Sequence, residues 1–267
     1  MKIHPTAIVD PHAELGPDVE IGPYSVIDGS VVLGARTVIG AHVHLTGFTT
    51  LGEDCRIHPG AALGGPPQDT KYHGEESYLR IGDRTVIREY VTVHVAVGEG
   101  NSTEIGNECM FMAYSHVGHN CKVGNNVCAA NYVGLSGGCR IDDRAVLGGL
   151  AGFHQFVHVG RMAMVGGCSK INADVPPFVI VDGNISKYYG LNVVGLRRGG
   201  VSDEGRAALK RAYRLLLAGN RNLSEAIVEA RATLPPSPEL TEFIDFIALS
   251  GRQGRHQDPR FNRVIEA

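Results

Sequence analysis

Two short segments hold the side chains best suited to moving a proton. One runs Tyr114-Ser115-His116-Val117-Gly118-His119-Asn120-Cys121, the other Ala151-Gly152-Phe153-His154-Gln155-Phe156. Between them lies Ser136-Gly137-Gly138. A histidine beside free backbone N–H groups suits a general base next to an oxyanion site. That chemistry requires His119, the Gly-rich turn and His154 to meet, although they are far apart in the chain.

A six-residue period brings them together. Stepping by six from Ile3 to Ile171 visits 29 positions, and 26 are apolar. The exceptions, Asp69, Glu75 and Glu99, fall in two interruptions, at about 64–80 and 94–104. Gly follows the large residue in 13 hexads, and the fifth position is usually small. This pattern predicts a short strand and a sharp corner, with the large residue filling each prism corner and the small one beside it. Glycine is expected at the corner for its backbone freedom. Three faces make an 18-residue coil, and coils stack at about 4.8 Å. Val117 and Phe153 are 36 residues apart, so their hexads share a face two coils apart. His119 and His154 then lie near one edge, about 10 Å apart along the axis, with Ser136-Gly137-Gly138 on the coil between.

Composition supports the repeat. The chain has 267 residues, 35 of them glycine, no tryptophan and a net charge of −3. There is no collagen period, and 43% hydrophobic residues argue against disorder. The longest apolar stretch, Ala145 to Phe153, is far short of the roughly 20 residues of a membrane span. The charge balance shows no nucleic-acid footprint. The N-terminus carries no apolar signal core, so a cytoplasmic location is expected. The six cysteines form no CxxC pair. Cys55, Cys109, Cys121 and Cys139 occupy the small inward position, where a thiol acts as a compact hydrophobe.

The repeat ends at Val175-Pro176-Pro177, which divides the chain into 1–177 and a link plus helical domain at 178–267. Ser202 caps one expected helix, which stops at Gly219. A second runs from Ser224 to about Thr233. A third has Ser237 as its cap and Pro238 in its first position, and ends at Ser250 before Gly251. Arg197, Arg198, Arg206, Lys210, Arg211, Arg214 and Arg221 give this part a basic face, either plainly solvated or a dock for an acidic partner.

The hexads resemble those of the hexapeptide-repeat acyltransferases. That resemblance implies a mainly β fold, a left-handed parallel β-helix with a small C-terminal α-helical domain, assembled as a homotrimer. Gamma-class carbonic anhydrases share the fold and bind zinc through three histidines, two of them five apart. Here His116 and His119 are three apart and His154 and His158 four, so no metal is expected. The order of Gln68–Glu75, Ile81–Glu89, His116–His119, His154–Phe156, Val165–Ser169, Asp174–Pro177 and Gly195–Arg198 is similar to that of one family, the acyl-ACP–UDP-N-acetylglucosamine O-acyltransferases that open lipid A biosynthesis.

The resemblance implies that His119 is the general base and that the Gly137 amide holds the oxyanion. Asp69, Lys71, His116, Gly138, His154 and Gln155 line the substrate cleft. Asn192 and Arg198 contact the nucleotide sugar. Gly167 is the acyl-length ruler, and without a side chain it should permit a longer chain. The partners are acyl carrier protein and a UDP-sugar. No cofactor is needed, because the phosphopantetheine arm arrives with the donor. Four positions depart from the family pattern. Gly138 stands for a common His, Asn120 for Asp, Val194 for an acidic residue and Gly199 for a second basic one. They leave open a different nucleotide sugar as acceptor, such as a 3-amino sugar acylated to an amide.

Overall fold

The computed structural model describes residues 1–218 and 222–252. Almost every hexad contributes a two-residue strand, such as Lys2–Ile3, His116–Val117 or Gly134–Leu135. Strands three hexads apart pair in parallel, and three sheets of eleven, nine and eight strands form the prism faces. The result is the expected left-handed parallel β-helix. The large residue is the second of each two-residue strand and points inward. Leu33, Leu45, Leu63, Val117 and Leu147 are all at most 1% exposed. Two residues earlier, Cys55, Cys109, Cys121 and Cys139 are equally buried, as filler.

The glycines work differently from the expectation. Of the 13 that follow the large residue, only Gly64 has positive φ. A Cβ on Gly22 would lie 2.7 Å from the backbone of Gly40 in the next coil, and one on Gly16 2.7 Å from the Ala35 nitrogen. Glycine is there because the neighbouring coil approaches too closely for a side chain. The left-handed corner falls two residues later, mostly on non-glycines: Asp18, Tyr24, Arg36, His42, Tyr90, Tyr114, Tyr132 and Leu150 all have φ near 60°. Each such residue costs roughly 1–2 kcal/mol in isolation, so coil stacking must hold them there.

One prism edge carries an aromatic ridge. Tyr90, Tyr114 and Tyr132 stack at 5.1 and 5.0 Å, and all three are about half exposed.

The two interruptions clasp each other. The Gly98 amide donates to Glu75 Oε1 (2.8 Å), the Glu76 amide to Glu99 Oε2 (3.1 Å) and Ser77 Oγ to the Ala96 carbonyl (2.6 Å). Two of the three residues that break the apolar period therefore build this clasp.

The coil stack does not give way to an irregular link at 178. Val179–Asp182 pairs in parallel with Met164–Val165, and Lys187–Leu191 folds back antiparallel on it. This hairpin caps the C-terminal end of the prism. Four helices follow among the described residues: α1 (Val193–Arg198), α2 (Asp203–Leu216), α3 (Leu223–Thr233) and α4 (Pro238–Arg252). Ser202 caps α2, as its sequence implies, and Asn222 caps α3. The Ser237 hydroxyl accepts from the Leu240 amide (3.2 Å), and α4 continues through Gly251. Helix α1 is an addition, nucleated by its Asn192 cap. The expected stop at Gly219 and the basic residue Arg221 lie outside the described residues. Helix α4 is fastened to the last coils by Arg161 with Glu242 (2.7 Å) and by Ser250 with Asp174 (3.0 Å). Among the described residues none caps the N-terminal end, and Ile3 and Ile8 there are 39% and 67% exposed.

Candidate active site

The register aligns His116–Val117 with Gly134–Leu135 and Gly152–Phe153 on the nine-stranded face. His119, Gly137 and Gln155 therefore stack at the corner where that face turns into the eight-stranded one. Main-chain bonds lock the column. The Gly138 amide donates to the His119 carbonyl (2.8 Å) and the Phe156 amide to the Gly137 carbonyl (3.1 Å).

The His119 ring lies directly over Gly137, where a Cβ would be 2.3 Å from Nε2. Any side chain at 137 would displace the imidazole. The Gly137 amide has no hydrogen-bond acceptor among the described residues. Its N–H and the ring nitrogen thus belong to the same small space.

The tautomer of His119 follows from its neighbours. Asn120 Oδ1 accepts from the Val97 amide (2.9 Å), and Asn120 Nδ2 donates to the Val97 carbonyl (3.1 Å). That pair orients the Asn120 amide, so Oδ1 is the atom facing His119 Nδ1 at 2.8 Å. An acceptor there requires Nδ1 to carry the proton, which leaves Nε2 with its lone pair. Asp69 Oδ2 is 3.4 Å from Nε2. The first interruption delivers this carboxylate, and the Lys71 backbone amide holds its other oxygen at 2.9 Å. Asp69 thus faces His119, while the Lys71 side chain is exposed.

Two further histidines border the pair. His116 Nδ1 is 2.7 Å from Thr92 Oγ1, and the His94 ring meets the His116 ring edge-on at 4.9 Å. Burial, then the neighbouring His116 and His119, push His94 down to about 4. Burial and His119 also lower His116. His94 lies at the mouth of the second interruption and was not singled out by the repeat. Its pairing with the coil of His116, three hexads on with the insertion between, hides it from simple spacing.

The remaining candidates surround this centre unevenly. His154 and Gln155 are exposed two coils on from His119. They line a hollow of about 520 Å³ with Phe156, Val157, Asn172, Ala173 and Asp174. Gly138 has φ 71°, and a Cβ there would meet the Phe156 ring at 2.5 Å. Gly199 is similar, with Met162 Cε only 2.3 Å from its Cβ position. At both departures from the family pattern a bulky neighbour fills the space of the absent side chain. Gly167 is exposed at the opposite edge of the nine-stranded face from His119. Asn192 is 8% exposed and fully occupied, with Oδ1 capping α1 and Nδ2 donating to the Met162 carbonyl at 3.0 Å. Arg198 is exposed in the last turn of α1.

Comparison with known proteins fits this arrangement. Residues 30–65 and 102–137 match the bacterial transferase hexapeptide repeat, and residues 174–255 match domain 2 of UDP-N-acetylglucosamine O-acyltransferase. An acyl-(acyl-carrier-protein)–UDP-N-acetylglucosamine O-acyltransferase of Anaeromyxobacter sp. is 47% identical over 248 residues, 92% of this chain and 96% of the relative. The UDP-N-acetylglucosamine acyltransferase structure from Bacteroides fragilis superposes with a TM-score of 0.90 at 37% identity, covering 92% of this chain and 97% of that one. The Francisella novicida structure gives 0.90 at 34% identity, covering 99% and 97%. With this identity along nearly its whole length, the chain belongs to the acyl-(acyl-carrier-protein)–UDP-N-acetylglucosamine O-acyltransferase family.

Proposed function

We propose that the chain transfers a 3-hydroxyacyl group from acyl carrier protein to the 3-hydroxyl of UDP-N-acetylglucosamine, the first step of lipid A biosynthesis. The observation that carries this is the His119–Gly137 contact, set in a chain of this family. His119 Nε2 takes the proton of the sugar hydroxyl as its oxygen attacks the thioester carbon. The Gly137 N–H donates to the oxygen that becomes negative. Asp69 and the acceptor on Asn120 stabilise the imidazolium. Collapse of the tetrahedral intermediate breaks the carbon–sulfur bond, and His119 returns the proton to the thiolate. No bound cofactor enters this scheme.

His116, Gly138, His154, Gln155 and Lys71 are placed around the acceptor and donor in this reading. Asn192 holds α1, and through it Arg198, toward the nucleotide. Gly167 limits the acyl chain, and its exposed, side-chain-free surface favours a long one. His119 and Gly167 stand at opposite edges of one face, so a chain between them crosses that face or runs between copies. The aromatic ridge of Tyr90, Tyr114 and Tyr132 supports a homotrimer, since stacked, half-exposed rings favour burial against another copy. The basic face of α1 and α2 suits acidic acyl carrier protein. No helix among the described residues is long and apolar enough to cross a membrane. A cytoplasmic location is inferred from the carrier-borne donor.

The test is His119→Ala assayed with 3-hydroxyacyl carrier protein and UDP-N-acetylglucosamine. Loss of a general base should lower kcat by about 100-fold or more. Near wild-type turnover would remove His119 from the mechanism. A parallel arm with a 3-amino UDP-sugar reads the acceptor directly.

A further inference from the structure

A second hollow, of about 500 Å³, lies between the prism cap and α2. Its walls are Gly190, Leu191, Val193, Ala207, Tyr213 and Ala218, and its rim carries Arg206, Lys210 and Arg214. None of the residues around His119 lines it. The rim cations are spaced by four residues, so they form one row along a helix face, about 6 Å apart along its axis. Arg206 is engaged by Asp203 and by the Val201 carbonyl. Lys210 and Arg214 have no carboxylate partner among the described residues, although α2 brings both to the same opening. Inside, burial pushes the Tyr213 phenol up, and Val193 remains 54% exposed beside it.

Two features of opposite character therefore coincide. One is a concave apolar wall open to solvent; the other is a pair of uncompensated cations at its mouth. Either alone is ordinary surface, but together they complement one chemical class. We infer that this hollow binds a small amphiphilic anion, an acyl or alkyl chain ending in a carboxylate or phosphate. The chain would cover Leu191, Val193 and Tyr213 while the head group meets Lys210 and Arg214. The concave shape and volume favour a small molecule over a protein ridge. Because the same cations belong to the face assigned to the carrier, an occupied hollow would oppose donor docking; this consequence alone rests on the reading given under Proposed function.

Calorimetric titration of the full chain with octyl phosphate tests the inference, with octanol and inorganic phosphate as single-feature controls. Saturable binding to one site is expected, with each control at least about tenfold weaker. Ala207 is exposed on α2, so Ala207→Leu fills the hollow with a good helix former and should leave the melting temperature unchanged. It and the Lys210→Ala/Arg214→Ala pair should each weaken octyl phosphate by about tenfold or more. Unaltered affinity in both variants, or no saturable binding to the wild-type chain, overturns the site. If octyl phosphate fails while Ala207→Leu weakens carrier-protein binding, the hollow is a protein anchor and the inference falls. If octyl phosphate binds without raising the KM for the acyl carrier donor, the site stands and the carrier-docking reading falls.

Discussion

Asn120 shows how one residue can set the state of another without touching a substrate. Its amide is oriented by Val97 on both sides, and that orientation dictates which His119 nitrogen carries the proton. Asn120→Ala removes the lock and should lower kcat by about tenfold or more while changing KM little. A steady-state comparison of the two parameters checks this, and an equal fall in binding would assign Asn120 to substrate instead. His94 makes a different prediction. Its folded-state value of about 4 lies below its ordinary 6.5, so the unfolded chain binds the proton more readily. Stability contributed by neutral His94 is complete above about pH 6.5 and is lost as pH falls toward 4. Melting temperatures of the wild-type chain should drop across that window, and His94→Gln should flatten the slope. Neutral His94 and His116 also spare the transient His119 cation two like-charged neighbours. The positions of His119, Gly137 and His154 were legible from coil arithmetic alone. The partners Asp69 and His94 were not, because both sit at insertions where the period is interrupted. For Asp69 only family resemblance gave a hint, and loop packing supplied the contact.

At the scale of the hexad, sequence showed that glycine recurs but not why. The period reports only that a side chain is missing; two causes, backbone angle and close approach, leave the same mark. The structure separates them. Gly22→Ala should destabilise by about 1–3 kcal/mol, because its Cβ meets the Gly40 backbone rather than a movable side chain. Denaturant titration would measure this, with an unchanged midpoint as the opposing outcome. The capping hairpin was missed for a related reason. Val179–Asp182 keeps the alternation of a strand but falls out of phase after Pro176-Pro177, so period counting stops one rung early. Helix α1 is only six residues long and depends on the Asn192 side chain, a signal too local to stand out beforehand.

At the largest scale, the described residues close the prism at one end only. Hairpin and helices cover the C-terminal coils, while the first coil pairs on a single side and leaves Ile3 and Ile8 partly in water. Opening should therefore start at the N-terminal end. Native-state hydrogen exchange is expected to show the amides of the first coil exchanging fastest, with protection rising toward the coils around His119. Uniform protection along the prism would contradict it. Architecture on this scale was the most legible part of the sequence, because 26 in-phase apolar positions leave little other than a three-sided coil. The tyrosine ridge has a consequence of another kind. With no tryptophan in the chain, near-ultraviolet absorption comes chiefly from nine tyrosines, and three of them stand stacked and nearly parallel along one edge. Their transition dipoles couple, so this edge carries its own optical label, one that reads the packing of neighbouring coils without any added dye.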